Sequence, residues 1–264
     1  MAVKIALAQT TSGEKWEVNL RKAWEYAEEA SRQKAEMIVF PEYFMTYYPM
    51  EEGDYQKQGQ SLEGEFVREM GRAARETGLW MVFGVNETGK DRNYNTIVIL
   101  DAEGQLRGDY RKTHLFDAYR WKESDDTMAG DEIFRPVDSP AGKIGIGTCY
   151  DLRFPELARM EALQGAQVML YPSAWVKGEN KFMQWETLLR ARAIENEMYV
   201  FGCCHYSEKH YMGRSLGFDP SGREILRGGE KEELLTGGIE LEEIKKVRHA
   251  NPVFSNRRGD LYHI

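Results

Sequence analysis

The chain has 264 residues, 42% of them hydrophobic, which is enough apolar material for a large core. With 43 acidic against 35 basic side chains the formal charge is −8, a balance that repels phosphate backbones and argues against a nucleic-acid partner. No run approaches the ~18 uninterrupted apolar residues of a membrane-spanning helix, so no membrane association is expected.

The opening stretch MAVKIALAQTTSGEKWE has an apolar run without a small-residue cleavage site, and is read as a first strand over 3–8. Leu20, Trp24, Ala27 and Ala30 recur at helical spacing within 16–34. A buried strand follows over 37–40 and stops at Pro41, and a second helix over 62–77 is stopped by Gly78. Strands over 80–85 and 96–100 are joined by a turn around 91–95. Asp101-Ala-Glu-Gly104 then turns the chain into a strand over 105–110.

The second half continues in the same manner. Strands are predicted over 143–149, 168–171, 198–203 and 235–241, and helices over 156–164, 181–196 and 242–249. Segments 215–219 and 224–227 flank the turn Pro220-Ser-Gly222. Neither a Pro- or Ser-rich linker nor a short repeat divides the chain, so residues 1–264 are expected to form one domain with a layered α/β fold. Local pairing leaves open whether there is one sheet or two.

Cys149, Cys203 and Cys204 are an odd set without framework spacing, which points to a reducing, cytoplasmic compartment and free thiols. Cys149 ends the strand in KIGIGTCYDLRFPE, with Pro155 suited to the first turn of a following helix. Such an elbow exposes a side chain where open α/β sheets bind ligands, and a helix N-terminus favours thiolate. Position alone serves equally well for a buried core cysteine. Glu42 ends the strand in IVFPEY, where a carboxylate can act as base toward a thiol, or simply cap or pair. Lys112, in DYRKTH, can hold an oxyanion, or be one more solvated lysine.

Taken together, FPEYF around Glu42, YRKTHLFD around Lys112 and GIGTCYDLRFPELAR around Cys149 resemble the nitrilase superfamily, the carbon–nitrogen hydrolases. YPSAW at 171–175, WETLLRARAIENEMY at 185–199 and GRSLGFDPSG at 213–222 extend the resemblance over most of the chain. It implies a four-layer α-β-β-α sandwich and a Glu42–Lys112–Cys149 triad. Glu123, between the lysine and the cysteine, matches a second glutamate that positions the reacting groups. The Tyr150 backbone N–H would join Lys112 in an oxyanion hole. The implied reaction is hydrolysis of a non-peptide C–N bond in a small amide through a Cys149 thioester, with no metal or cofactor.

Cys-Tyr-Asp-Leu-Arg after the nucleophile looks more like an amidase than a nitrile-cleaving enzyme. Arg153 matches a position that holds a substrate carboxylate in members acting on carbamoyl amino acids, through bidentate pairing. A salt bridge to Asp151 or Glu156 is the plainer reading. The YRK-x-HLFD run is similar to the omega-amidase branch, so ω-amides of dicarboxylic acids lead the substrate readings. A nitrilase, a carbamoylase or a silent binding subunit are the alternatives. Tyr43, Phe44, Tyr47 and Tyr48 form an aromatic group beside Glu42, and Tyr43 and Trp175 are assigned to the substrate pocket. The resemblance also implies a homodimer, or a larger assembly of dimers, through the helix over 181–196.

Two other patterns are set aside. Gly84 to Lys90 nearly forms a phosphate-binding loop but has Asp91 where a hydroxyl is required. Cys203-Cys204-His205 cannot easily converge on a metal, because neighbours on a strand face opposite ways.

Overall fold

The computed structural model describes residues 2–49, 54–119 and 121–262. The chain begins with β1 (Val3–Gln9), α1 (Trp16–Arg32), β2 (Met37–Val39) and α2 (Glu65–Thr77). A meander follows: β3 (Trp80–Glu87), β4 (Asn93–Leu100) and β5 (Leu106–Arg111). Three two-residue strands, β6 (Asp117–Ala118), β7 (Trp121–Lys122) and β8 (Thr127–Met128), lead to β9 (Val137–Ser139) and β10 (Gly142–Ile146). Next come α3 (Pro155–Leu163), β11 (Val168–Ser173), α4 (Lys181–Asn196) and β12 (Tyr199–Cys204). β13 (Leu216–Phe218), β14 (Glu224–Arg227), β15 (Glu233–Ile239), α5 (Leu241–Ala250) and α6 (Val253–Asn256) complete the described elements.

Among the described residues these strands make two large sheets and the small β6–β7 ribbon. One sheet has the order β15-β1-β2-β3-β4-β5, with β8 beside β4; the other runs β14-β13-β12-β11-β10-β9. Each has a parallel centre, β1-β2-β3 and β10-β11-β12, flanked by antiparallel strands. The two-residue period of a strand sorts the side chains. Ile5, Leu7, Met37 and Val39 meet Ile144, Ile146, Val168 and Leu170 in the layer between the sheets. Their neighbours Ala6, Ala8, Ile38 and Phe40 face the other way, onto α1 and α2. Ala23, Ala27 and Ala30 on α1 and Ala73 and Ala74 on α2 let those helices lie close to the sheet. α3 packs on β10, and α4 on β12 and β13. The result is the expected α-β-β-α sandwich. No described helix is long and apolar enough to cross a membrane.

Several boundaries differ from the sequence reading. The strand expected over 143–149 ends at Ile146, and Cys149 opens a short 3₁₀ turn, Cys149–Arg153. Asn95 lies inside β4, not in the turn, and α2 starts at Glu65 after a bend. Leu241 starts a helix rather than ending a strand. Gly78 closes α2 with φ +70, the left-handed conformation that glycine adopts at no steric cost.

One buried acid sits beneath the strand that feeds Cys149. Glu161 on α3 is fully buried and its Oε2 accepts the Ile146 N–H at 2.8 Å. Gly145 is required beside it, because a Cβ there would come within 2.2 Å of that oxygen. Burial pushes the Glu161 carboxyl well above its ordinary value of 4.5, the Ile146 bond only partly opposing this. The folded protein therefore keeps the proton over a pH range where the unfolded chain releases it. The stability linked to this proton is complete below about pH 4.5 and is lost as pH rises toward the folded value. Replacing Glu161 by Gln removes that loss. The unfolding free energy of Glu161→Gln should therefore gain on wild type as pH rises above about 4.5, by up to about 1.4 kcal/mol per pH unit until the folded carboxyl ionises. Urea melts at several pH values test this, and a gap independent of pH would contradict it.

Candidate active site

Both sheets deliver side chains to one shared edge. Glu42 follows β2 and Lys112 follows β5, which runs in the same direction because β4 lies antiparallel between β3 and β5. Asn95 enters from the start of β4 at that same edge, and its carbonyl accepts the Lys112 N–H at 2.9 Å. Glu123 arrives on the segment after β7. Lys112 Nζ donates to Glu42 Oε1 at 2.9 Å and to Glu123 Oε2 at 2.8 Å. Asn95 Nδ2 spans the same two carboxylates, at 2.7 Å to Glu42 Oε1 and 3.2 Å to Glu123 Oε1. The remaining oxygen of Glu42 accepts the Ala174 N–H at 2.7 Å, from the end of β11 in the other sheet. Glu123 also accepts the Phe116 N–H at 2.7 Å and the Tyr43 hydroxyl at 2.5 Å. Glu42, Lys112 and Glu123 are all at most 2% exposed.

Cys149 lies against this cluster, its thiol beside the Glu42 carboxylate and the Ala174 N–H. Its φ is +47, a strained conformation for a side chain with a Cβ. Asp151 holds the turn in place. Its Oδ2 accepts the Thr148 N–H at 2.8 Å and the Tyr110 hydroxyl at 2.9 Å, and its Oδ1 accepts the His114 N–H at 3.1 Å and meets His114 Nδ1 at 2.7 Å. Tyr110 and His114 stand two residues either side of Lys112, so Asp151 ties the cysteine turn to the lysine segment.

The two carboxylates are driven apart electrostatically. Burial raises Glu42 above the usual carboxylate range; Lys112 opposes this, and the charge of Glu123 adds to it. Burial acts on Glu123 in the same direction. There the Lys112 ammonium, with hydrogen bonds from Lys112, Tyr43 and Phe116, outweighs it and leaves Glu123 below the usual range. Burial disfavours the Lys112 charge, but Glu123, Glu42 and Cys149 hold its pKa well above that of an ordinary lysine. The Cys149 thiol is pushed well up, by burial first and the Glu42 charge second. A pair of carboxylates separated in this way marks one as proton acceptor and the other as a fixed anion.

A cavity of about 270 Å³ opens over the cluster, and Glu42, Tyr43, Lys112, Glu123, Cys149, Tyr150, Arg153 and Trp175 all line it. Arg153 makes neither of the expected salt bridges. Its Nη2 donates to Gln184 Oε1 at 2.8 Å, and the guanidinium lies 4.9 Å from the centre of the Trp175 ring. The aromatic group beside Glu42 divides. Tyr43 and Tyr48 stack at 4.8 Å and reach the cavity, whereas Phe44 stacks on Phe40 in the layer under α1 and α2. Tyr47 packs edge-on to Tyr211 and His205. Cys203 Sγ donates to the Val39 carbonyl between the sheets at 3.2 Å, and Cys204 Sγ points to the Trp175 carbonyl at 3.9 Å. Asn95, Asp151, Lys181 and Gln184 were not singled out by sequence reasoning. Asp151 lies within the CYDLR motif, while Asn95 carries no local signal.

The carbon–nitrogen hydrolase family model matches residues 4–249, and the protein belongs to that family. It is 36% identical over 275 residues to the deaminated glutathione amidase of Homo sapiens, covering 98% of this chain and 83% of that one. It is 32% identical over 259 residues to the omega-amidase of Mus musculus, covering 92% and 91%. It also resembles the nitrilase and fragile histidine triad fusion protein of Caenorhabditis elegans, 34% identical over 271 residues. This chain spans 61% of that protein's length. The crystal structure of that fusion protein superposes with a TM-score of 0.91 at 33% identity, covering 99% of this chain and 66% of that one. Relatives and family together make the chain a carbon–nitrogen hydrolase of the amidase kind.

Asn95 lowers the Glu42 pKa through its hydrogen bond. Asn95→Ala should therefore move the acid limb of the pH–rate profile to higher pH. It should cut kcat/KM by about 10–100-fold, the value of one hydrogen bond to a charged group. A profile with an unmoved acid limb would separate Asn95 from the base.

Proposed function

We propose that this enzyme hydrolyses small linear amides bearing a carboxylate, ω-amides of dicarboxylic acids among them, through a thioester on Cys149. The observation that carries the reading is the buried Glu42–Lys112–Glu123 cluster set against the Cys149 thiol, at the wall of a pocket that cations also line. Lys177, Lys181 and Arg153 line that pocket in a protein whose net charge is −8. Two relatives are named for amide hydrolysis, a deaminated glutathione amidase and an omega-amidase.

Glu42, with its raised pKa, takes the thiol proton as Cys149 Sγ bonds to the amide carbon. An ammonium has three donors, and two of those on Lys112 are held by glutamates. The third, with the Tyr150 N–H, meets the developing oxyanion. The C–N bond breaks as Glu42 returns its proton to the nitrogen, and ammonia leaves. Glu42 then takes a proton from water as it attacks the thioester, releasing the acid and restoring the thiol. Glu123 remains an anion throughout and keeps Lys112 charged and in place. On this reading residues 1–264 act as one cytoplasmic catalytic domain. Dimers form through the outer helices, where Leu163, Met183 and Ile194 are exposed.

Ammonia release from succinamate should be readily measured with wild type and fall by about 10³-fold or more in Cys149→Ala. Iodoacetamide should modify Cys149 ahead of Cys203 and Cys204, which are fully buried. Equimolar carbon dioxide with ammonia from a carbamoyl amino acid, and none from succinamate, would replace this reading with a carbamoylase.

A further inference from the structure

Lys181 is the first residue of α4 and only 8% exposed, yet its ammonium has neither a hydrogen-bond acceptor nor a carboxylate partner among the described residues. It lies 4.0 Å from the centre of the Tyr119 ring and 5.5 Å from that of Phe116. Aromatic faces attract a cation but do not neutralise it. A buried lysine without a counter-ion is costly to maintain. Arg153 adds to that cost: its like charge depresses the Lys181 pKa after burial does, while the Cys149 thiolate would raise it. Both cations therefore lie within electrostatic reach of each other and of the reacting sulfur.

The surrounding contacts hold the two groups together. Gln184, one helical turn after Lys181, accepts from the Arg153 guanidinium at 2.8 Å. The Trp175 indole N–H donates to the Lys181 carbonyl at 3.0 Å while the Trp175 face supports Arg153. No carboxylate of the described residues pairs with Arg153 either. Two cations thus line the cavity together, and among the described residues no carboxylate pairs with either.

We propose that Lys181 is a substrate-binding residue that closes on the far carboxylate of the substrate from the side opposite Arg153, and so sets the preference for anionic over neutral amides. This rests on the ω-amide reading above and adds to it the residue that selects for charge. The substrate carboxylate supplies the missing counter-ion.

Two measurements separate this proposal from the reading it rests on. The first is the ratio of kcat/KM for succinamate to that for 4-methylpentanamide, its uncharged isostere. Lys181→Met should lower that ratio at least tenfold, mainly through the KM for succinamate, and Lys181→Arg should restore most of it. An unchanged ratio, or equal losses on both amides, would overturn the proposal. The second measurement does not depend on turnover. Succinate should slow alkylation of Cys149 by iodoacetamide in wild type, and Lys181→Met should abolish the protection. Absence of protection in wild type overturns the anion site. Protection that needs Lys181, in an enzyme that leaves succinamate intact, supports the anion site and overturns only the ω-amide reading.

Discussion

A lysine ammonium buried between two carboxylates is the interaction on which the site depends. Three charges removed from water would normally cost more than their mutual attraction returns, unless their remaining lone pairs are satisfied. Here they are: Asn95 bridges the carboxylates, and the Ala174 and Phe116 N–H groups and the Tyr43 hydroxyl supply the rest. Each donor comes from a different segment of the chain. The cluster forms only when β2, β4, β5 and the end of β11 are all in place. The dense hydrogen bonding also produces the asymmetry the chemistry needs. Glu123 gathers more donors and stays ionised. Glu42 is equally buried but has fewer donors, and is the one able to take up a proton.

The topology explains why such a cluster can assemble. Parallel strands place their carboxyl ends on one edge, and that is where open α/β sheets gather ligands. Two sheets stacked face to face bring two such edges together. Glu42 and Lys112 come from one and Cys149 and Ala174 from the other, so the reacting groups meet at the seam. Asp151 fixes the remaining degree of freedom. By accepting from Tyr110, His114 and Thr148 it locks the strained turn of Cys149 to the segment that carries Lys112. The positive φ of Cys149 and of Tyr43 (+55) places strain at two points of the site, where the surrounding contacts can hold it.

How much of this was legible in sequence follows from the range of each interaction. Short continuous apolar runs mark the central strands, and hence the strand ends near which Glu42, Lys112 and Cys149 stand. The same patterning could not show that Asn95 serves the site. An asparagine next to a polar stretch reads as a turn residue, and its role depends on pairing with a strand that ends at Arg111. The strand before Cys149 was read too long because Gly147 and Thr148 continue the pattern of Gly145 and Ile146. The chain leaves the sheet after Ile146 because Asp151 captures the Thr148 N–H. β6, β7 and β8 are two residues each, too short for any periodicity to register. Arg153 lines the cavity, and its neutral partner Gln184 lies 31 residues away and could not be inferred locally.

The site divides into two physically different halves. The reacting half is built from strand ends and buried hydrogen bonds, and any change of a donor there leaves a charge unsatisfied. The recognition half is built from the first turn of α4 and the segments around Tyr119 and Trp121, with Trp121 36% exposed and Tyr119 71%. Glu123 and the Phe116 N–H on this stretch belong to the charge cluster, but among the described residues the side chains of Lys181, Tyr119 and Trp121 make no hydrogen bond to it and can be exchanged while it stays in place. Lys181 belongs to this second half. It stands at the start of a helix that packs on β12 and β13, and it shares no hydrogen bond with the Glu–Lys network. A fold organised in this way can keep one mechanism of C–N bond cleavage while changing the acyl group it accepts.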